Sequence, residues 1–158
     1  MNLKQIFNLL SQKEAYAHCD IPCGIYDPHQ AQLAAHTILR MTKLLLEVKT
    51  NDTKAMHDIS RMTKVKEKHA SILEEELETL RNDYFKEEHF KQYPVLQALF
   101  VSTLGLVSKA RQNIDLEVAQ ELLSHVLEIS EVFYKTKGVE PIRVKSVYPT
   151  EGEVVLYK

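Results

Sequence analysis

The two cysteines of this chain, Cys19 and Cys23, lie in the stretch HCDIPCG, in which Cys19 directly follows His18. A disulfide across only three intervening residues would close too small a loop to add much stability. The spacing also differs from the C-x-x-C of thioredoxin-like proteins, and no second cysteine pair is present to complete a tetrahedral zinc site. Reactivity or metal binding therefore explains this pair better than a structural bridge does.

Thiolate and imidazole are ligands that late first-row metals prefer, and a square-planar set of nitrogen and sulfur suits Ni(II) or Cu(II) better than zinc. Pro22 and Gly24 favour a tight bend that turns both sulfurs inward. The strongest arrangement would place His18 at the chain terminus, because an α-amine with a pKa of about 7.7 to 8.0 is a usable ligand once deprotonated. That arrangement requires cleavage after Ala17. The plain alternative is a pair of ordinary thiols on an N-terminal arm.

Composition sets the class of protein that must hold this segment. The chain has 158 residues, 44% of them hydrophobic and 27% charged, which is typical of one globular domain with enough apolar side chain for a core. The formal net charge is −2 and the longest block of like charge is Glu74–Glu76, so neither nucleic acid nor an anionic membrane is an expected partner. No apolar run approaches the roughly 20 residues that span a bilayer, which predicts a soluble protein.

Hydrophobic periodicity and capping residues predict an all-α fold, an antiparallel up-and-down four-helix bundle. Asp27 and Pro28 can start the first helix, and Asp115 can cap the last one, which ends before Gly138. The four predicted helices cover residues 27–49, 52–81, 94–111 and 115–137. The stretch 82–94 is rich in aromatic residues without helical period, which predicts a loop.

The pattern changes after Gly138, where residues 142–148 and 153–157 are rich in β-branched side chains around the turn Pro149–Gly152. This tail predicts a possible C-terminal β-hairpin. An isolated hairpin is only marginally stable in water, so we expect it to pack on the bundle or on another subunit. The predicted organisation is thus a leader over residues 1–17, a hook-and-bundle domain over 18–137 and a tail over 138–158.

The segment HCDIPCGIYDP, followed by the helical pattern and the stretch DYFKEEHFKQYP, resembles the nickel superoxide dismutase family over roughly residues 18–137. The resemblance implies a cytoplasmic oxidoreductase that binds one nickel ion per chain and assembles as a homohexamer. It also implies a maturation protease that removes the leader and exposes His18. The leader itself is a poor secretory signal, because its apolar stretch is short.

Carried over by position, the resemblance implies the ligands of the metal. His18 would give its α-amine and, in the oxidised state, its imidazole, while Cys19 would give its thiolate and its backbone amide. Cys23 would give the second thiolate. Asp20 would supply hydrogen bonds within the hook, and Pro22 would follow a cis peptide bond that bends it.

Two tyrosines, Tyr26 and Tyr84, would stand over the open face of the metal in the same resemblance. Nickel would cycle between Ni(II) and Ni(III), oxidising one superoxide to dioxygen and reducing a second, with two protons, to hydrogen peroxide. Tyrosine hydroxyls are suited to positioning the anion and relaying protons. Lys86, close to Tyr84 in the chain, would steer the anion. The alternative function is a non-catalytic helical-bundle protein whose unprocessed hook binds metal or a partner.

Two positions depart from the family pattern. Ala34 stands where members commonly carry a glutamate that orients the metal histidine, and His69 stands where members have its arginine partner. Because both members of one supporting pair differ, we expect a different hydrogen bond to His18 or an altered redox tuning of the metal.

Overall fold

Helices account for most of the computed structural model, which describes residues 23–158. The hook residues His18, Cys19, Asp20 and Pro22, and the leader before them, lie outside the described residues. In chain order the elements are helices α1 (His29–Leu46), α2 (Thr53–Thr79), α3 (Glu87–Gln92), α4 (Leu96–Gln112) and α5 (Leu116–Thr136), then strands β1 (Pro141–Lys145) and β2 (Glu153–Tyr157). The possible hairpin is therefore present beside the helices.

Aspartates lie at the start of three of the long helices, and the sequence predicts this role for two of them, Asp27 and Asp115. Asp52 accepts a hydrogen bond from the Ala55 N–H at 2.8 Å, and Asp115 accepts from two N–H groups of the first turn of α5. Asp27 accepts from the His29 N–H at 2.7 Å, one residue earlier than a standard cap, and α1 begins at His29. These local bonds place the first residue of α1 directly after the predicted hook.

The aromatic stretch between α2 and α4 is not a loop, and this prediction was wrong. The chain leaves α2 through a π-helical turn over Leu80–Tyr84 and then forms the short helix α3. The Phe85 N–H donates to the Leu80 carbonyl at 2.8 Å, which widens the last turn by one residue. Phe85 is buried and packs against Phe100 at 5.6 Å between ring centres, so burial of this ring explains the widened turn.

The four long helices enclose one core. Helix α1 packs against α2 and α5, and α4 packs against the same two neighbours. The largest fully buried side chains come from all four helices and include Ile38, Leu73, Leu77, Leu96, Phe100, Leu122 and Ile129. The up-and-down antiparallel order of these helices stays a prediction. Among the helices of residues 23–158, none combines the length and apolar character needed to cross a bilayer.

A glutamine side chain of α1 pairs with the backbone of the C-terminal hairpin. Strands β1 and β2 pair antiparallel, with Pro141 opposite Tyr157 and Lys145 opposite Glu153. The Gln32 side chain donates from Nε2 to the Val155 carbonyl at 3.1 Å and accepts from the Val155 N–H at 2.7 Å. Gln32 and Val155 are both fully buried, so the amide of α1 pairs with β2 as a neighbouring strand would.

A buried histidine holds the turn of the hairpin to α1. His36 Nε2 lies 2.9 Å from the Glu153 carbonyl, and its Nδ1 lies 2.8 Å from Thr150 Oγ1. Because a carbonyl oxygen only accepts, Nε2 carries the proton of the neutral ring and Nδ1 accepts from Thr150. Burial lowers the pKa of His36. A Cβ at Gly152 would lie 2.9 Å from the imidazole, which requires glycine there.

Candidate metal centre and its tyrosine pair

The short segment from Cys23 to Asp27 connects the predicted hook to α1. The Cys23 side chain is exposed, and its Sγ accepts the Ile25 N–H at 3.4 Å. Gly24 has a φ of +70°, a left-handed conformation that favours glycine and reverses the chain next to the sulfur. This arrangement presents one accessible sulfur donor at the start of the described residues.

Only one of the three predicted metal ligands, Cys23, lies among the described residues. Within residues 23–158 no three His, Cys, Asp or Glu side chains come close enough together to hold a metal ion. A metal site built from the described part of the chain alone is thus not observed. The ligand set His18, Cys19 and Cys23 stays a prediction, and so do the supporting roles of Asp20 and Pro22.

The two predicted catalytic tyrosines are in contact. The rings of Tyr26, which precedes α1, and Tyr84, which ends the π-helical turn, are tilted by 51° with their centres 5.5 Å apart. The widened turn after α2 sets the position of Tyr84, whereas the Asp27 bond at the start of α1 sets the position of Tyr26. Two phenol groups therefore lie together a few residues from Cys23.

Tyr84 is held on several sides by aromatic and charged groups. Its ring centre lies 4.5 Å from that of Phe133 and 5.0 Å from that of Phe85. The His89 ring stacks on it at 5.7 Å with an interplanar angle of 13°. The Lys137 ammonium lies 4.7 Å from the centre of the Tyr84 ring, within the range of a cation–π contact. The tyrosine ring is thus fixed in place before any ligand arrives.

The cation beside this tyrosine differs from the one that the sequence suggested. The Lys86 ammonium donates to the Asp83 carbonyl at 2.6 Å on the surface, whereas Lys137 lies over Tyr84. Lys137 comes more than 50 residues after Tyr84 in the chain. No local pattern pointed to it, because only the packing of the end of α5 against the π-helical turn brings the two together.

The Tyr84 hydroxyl lies 2.7 Å from Thr136 Oγ1. Burial raises the pKa of Tyr84. Tyr84 is therefore a neutral phenol at neutral pH. It can position a ligand or hold a proton, but it does not supply a phenolate charge.

The hairpin reaches the same region through the contact of its Tyr157 with Tyr134 of α5. Burial raises the pKa of Tyr134 to about 12, and the neighbouring Asp27 and Tyr157 contribute further. Tyr157 on β2 lies 5.1 Å from Tyr134 between ring centres. The C-terminal strand thus adjoins the segment that connects the hook to α1.

A small cavity of about 220 Å³ opens beside the same segment. Its lining includes three carboxylate residues and two hydroxyl residues: Ile25, Tyr26, Asp27, Glu75, Glu76, Thr79 and Leu80. Ala34 and His69, the two positions that depart from the family pattern, add no polar group to this cavity. Ala34 is apolar and buried, and the His69 ring bonds the Val65 carbonyl at 2.8 Å.

A family model described as nickel-containing superoxide dismutase matches residues 13–137. The superoxide dismutase [Ni] of Streptomyces seoulensis is 35% identical over 121 residues, covering 77% of this chain and 88% of that protein. The superoxide dismutase [Ni] of Streptomyces coelicolor is 36% identical with the same coverage.

Solved structures agree with this match. A native nickel superoxide dismutase structure at 1.30 Å superposes with a TM-score of 0.68 and 34% identity, over 76% of this chain and 99% of that one. A structure whose nickel ligation corresponds to the oxidised state gives a TM-score of 0.70 and 32% identity, over 77% and 99%. The family match ends at residue 137, so the hairpin lies beyond it.

Proposed function

Because this chain belongs to the nickel-containing superoxide dismutase family, we propose that it converts superoxide to dioxygen and hydrogen peroxide at a nickel ion in its N-terminal hook. One observation carries the proposal beyond family membership. The ring of Tyr26, three residues after the exposed Cys23 in the chain, lies against the ring of Tyr84.

The donors of the hook suit nickel. Cys23 would hold it together with His18 and Cys19, which gives the sulfur and nitrogen ligands that Ni(II) accepts in a planar set. Asp20 and Pro22 would shape the hook. When bound, nickel supplies a one-electron couple between Ni(II) and Ni(III) that serves both halves of the disproportionation.

The residues around the site have two tasks in this reaction, to attract the anions and to deliver the protons. Two superoxide anions and two protons become one dioxygen and one hydrogen peroxide, so the protein must attract anions and deliver protons. Lys137 gives positive potential beside the tyrosine pair, which favours arrival of an anion. The Tyr26 hydroxyl would donate a hydrogen bond to that anion, and the Tyr84 ring packs against the Tyr26 ring.

Maturation is part of the proposal. A protease would cut between Ala17 and His18, since the α-amine of His18 becomes a ligand only at a chain terminus. We further propose that the mature chain is cytoplasmic, that its four long helices run in up-and-down antiparallel order, and that it assembles as a homohexamer.

Coexpression with the maturation protease and nickel tests the function. We expect intact mass to show loss of residues 1–17, metal analysis to show about one nickel per chain, and the product to consume superoxide. Cys23→Ser should lose nickel and activity with an unchanged circular dichroism spectrum, because Cys23 is exposed. Processed, nickel-loaded protein without turnover would contradict the proposal and favour a non-catalytic metal-binding protein.

A further inference from the structure

The hydrogen bonds of Thr136 decide where the proton of Tyr84 points. The Thr136 hydroxyl donates to the Phe133 carbonyl at 2.7 Å, one turn earlier in α5. A threonine hydroxyl has one proton, which this bond uses. Its oxygen can then only accept in the 2.7 Å contact with the Tyr84 hydroxyl. Tyr84 is the donor in that contact, and its single proton is directed at Thr136.

The ring of Tyr84 has little freedom to change this arrangement. Phe133 and Phe85 pack at 4.5 Å and 5.0 Å, and His89 stacks on the ring. Rotation about the bond between the ring and the hydroxyl oxygen is the remaining freedom, and Thr136 removes it. The oxygen of Tyr84 therefore offers lone pairs to its surroundings.

We propose that Thr136 is a positioning residue of the dismutase site, which holds Tyr84 as a hydrogen-bond acceptor and leaves Tyr26 as the tyrosine that donates to the substrate. This inference rests on the proposed function. Superoxide has no proton to give, so an acceptor oxygen does not retain it. Hydrogen peroxide and water both carry O–H donors, and Tyr84 oriented in this way suits them.

Thr136→Val tests the inference because valine keeps the shape of the side chain without the hydroxyl, and Thr136→Ser restores the hydroxyl. The matched control is Thr37→Val, which removes another helical threonine that bonds a carbonyl one turn earlier, here Leu33. Subtracting the spectrum of Tyr84→Phe isolates the Tyr84 signal in each background.

The first measurement is the ultraviolet titration of tyrosine in the full chain without nickel. Thr136→Val should move the Tyr84 titration to lower pH, because a bond in which Tyr84 donates its proton stabilises the neutral phenol. Among residues 23–158, the titratable side chains that contact the Tyr84 ring are Tyr26, His89 and Lys137, and none of them is altered. Thr136→Ser should return the titration to the wild-type position, and Thr37→Val should not move it.

The second measurement is turnover of the processed, nickel-loaded enzyme. We expect Thr136→Val to lower kcat about tenfold, the effect of one hydrogen bond, with recovery in Thr136→Ser. A Tyr84 titration that is unchanged or moved to higher pH in Thr136→Val overturns the assignment of Tyr84 as donor. A shifted titration with unchanged kcat overturns the positioning role. Absence of turnover in the wild type refutes the proposed function itself. The titration still tests the hydrogen bond between Tyr84 and Thr136 in that case.

Discussion

Replacing Gln32 by leucine removes the side chain that pairs with both backbone groups of Val155 on β2. Leucine is similar in size and apolar, so the change deletes two hydrogen bonds and opens little space. The Val155 N–H and carbonyl would then be buried without their partner. Docking of the hairpin on α1 should weaken as a result.

The expected loss follows from those two groups. A buried backbone group left unpaired costs roughly 1 to 3 kcal/mol, so the two together cost about 2 to 6 kcal/mol. Burial of the leucine side chain returns about 1 to 2 kcal/mol. Taking the middle of each range, the free energy of opening the hairpin from the helices should fall by about 2.5 kcal/mol, which corresponds to roughly 60-fold faster amide exchange.

Hydrogen exchange measured by NMR reports this bond directly, because the Val155 N–H donates to Gln32. The Ser146 N–H, which bonds Gly152 within the hairpin at 2.9 Å, serves as an internal comparison. Faster exchange at both amides indicates that the whole hairpin opens. Faster exchange at Val155 alone indicates loss of the local bond.

Gln30→Leu is the matched control, since Gln30 is exposed on the first turn of the same helix. That change should alter stability by no more than about 0.5 kcal/mol. If Val155 exchanges at the same rate in Gln32→Leu and Gln30→Leu, the glutamine contributes nothing to docking and the reasoning fails.

Three further predictions concern other buried groups. Because burial lowers the pKa of His36, the histidine is protonated at a higher pH in the unfolded chain than in the folded one, and stability should fall as pH drops below about 6.5. The thermal stability of His36→Gln should depend less on pH. The same pH dependence in this variant and the wild type would contradict the prediction. The buried Lys66 ammonium donates to two carbonyls at the end of α4, each at 2.6 Å. Lys66→Met should cost about 1 to 3 kcal/mol in urea unfolding, whereas Lys64→Met, at an exposed position, should cost little. Gly152→Ala should destabilise the protein by about 1 to 3 kcal/mol in urea unfolding, because the added Cβ meets the His36 ring. Gly105→Ala, in open space within α4, should stabilise the protein. Equal effects of the two changes would refute the steric argument.

The parts of the fold that the sequence predicts well are those that local chemistry determines. Asp52 and Asp115 cap helices where the pattern places them, because a cap needs only the next few N–H groups. The hairpin was predicted for the same kind of reason, from its turn and its β-branched residues. The family was recognised from a short motif that carries its own spacing.

Long-range packing explains what the sequence did not predict. The π-helical turn and α3 depend on burial of Phe85 against Phe100, which no local pattern reveals. Gln32 bonds a residue more than 120 positions away, so it read as an ordinary polar side chain of α1. The contact of Tyr26 with Tyr84 was expected only from the family resemblance, and the cation at Lys137 was not expected at all.

The glutamine that docks the hairpin has a second consequence, for association between molecules. A two-stranded sheet has two edges, and an unpaired edge can recruit a strand from another chain and start aggregation. The Gln32 amide occupies the outer edge of β2. Strand β1 begins with Pro141, which has no N–H, and continues with Arg143 and Lys145, residues that discourage strand addition. The extension beyond the family match is thus protected at both edges against becoming a template for fibre growth.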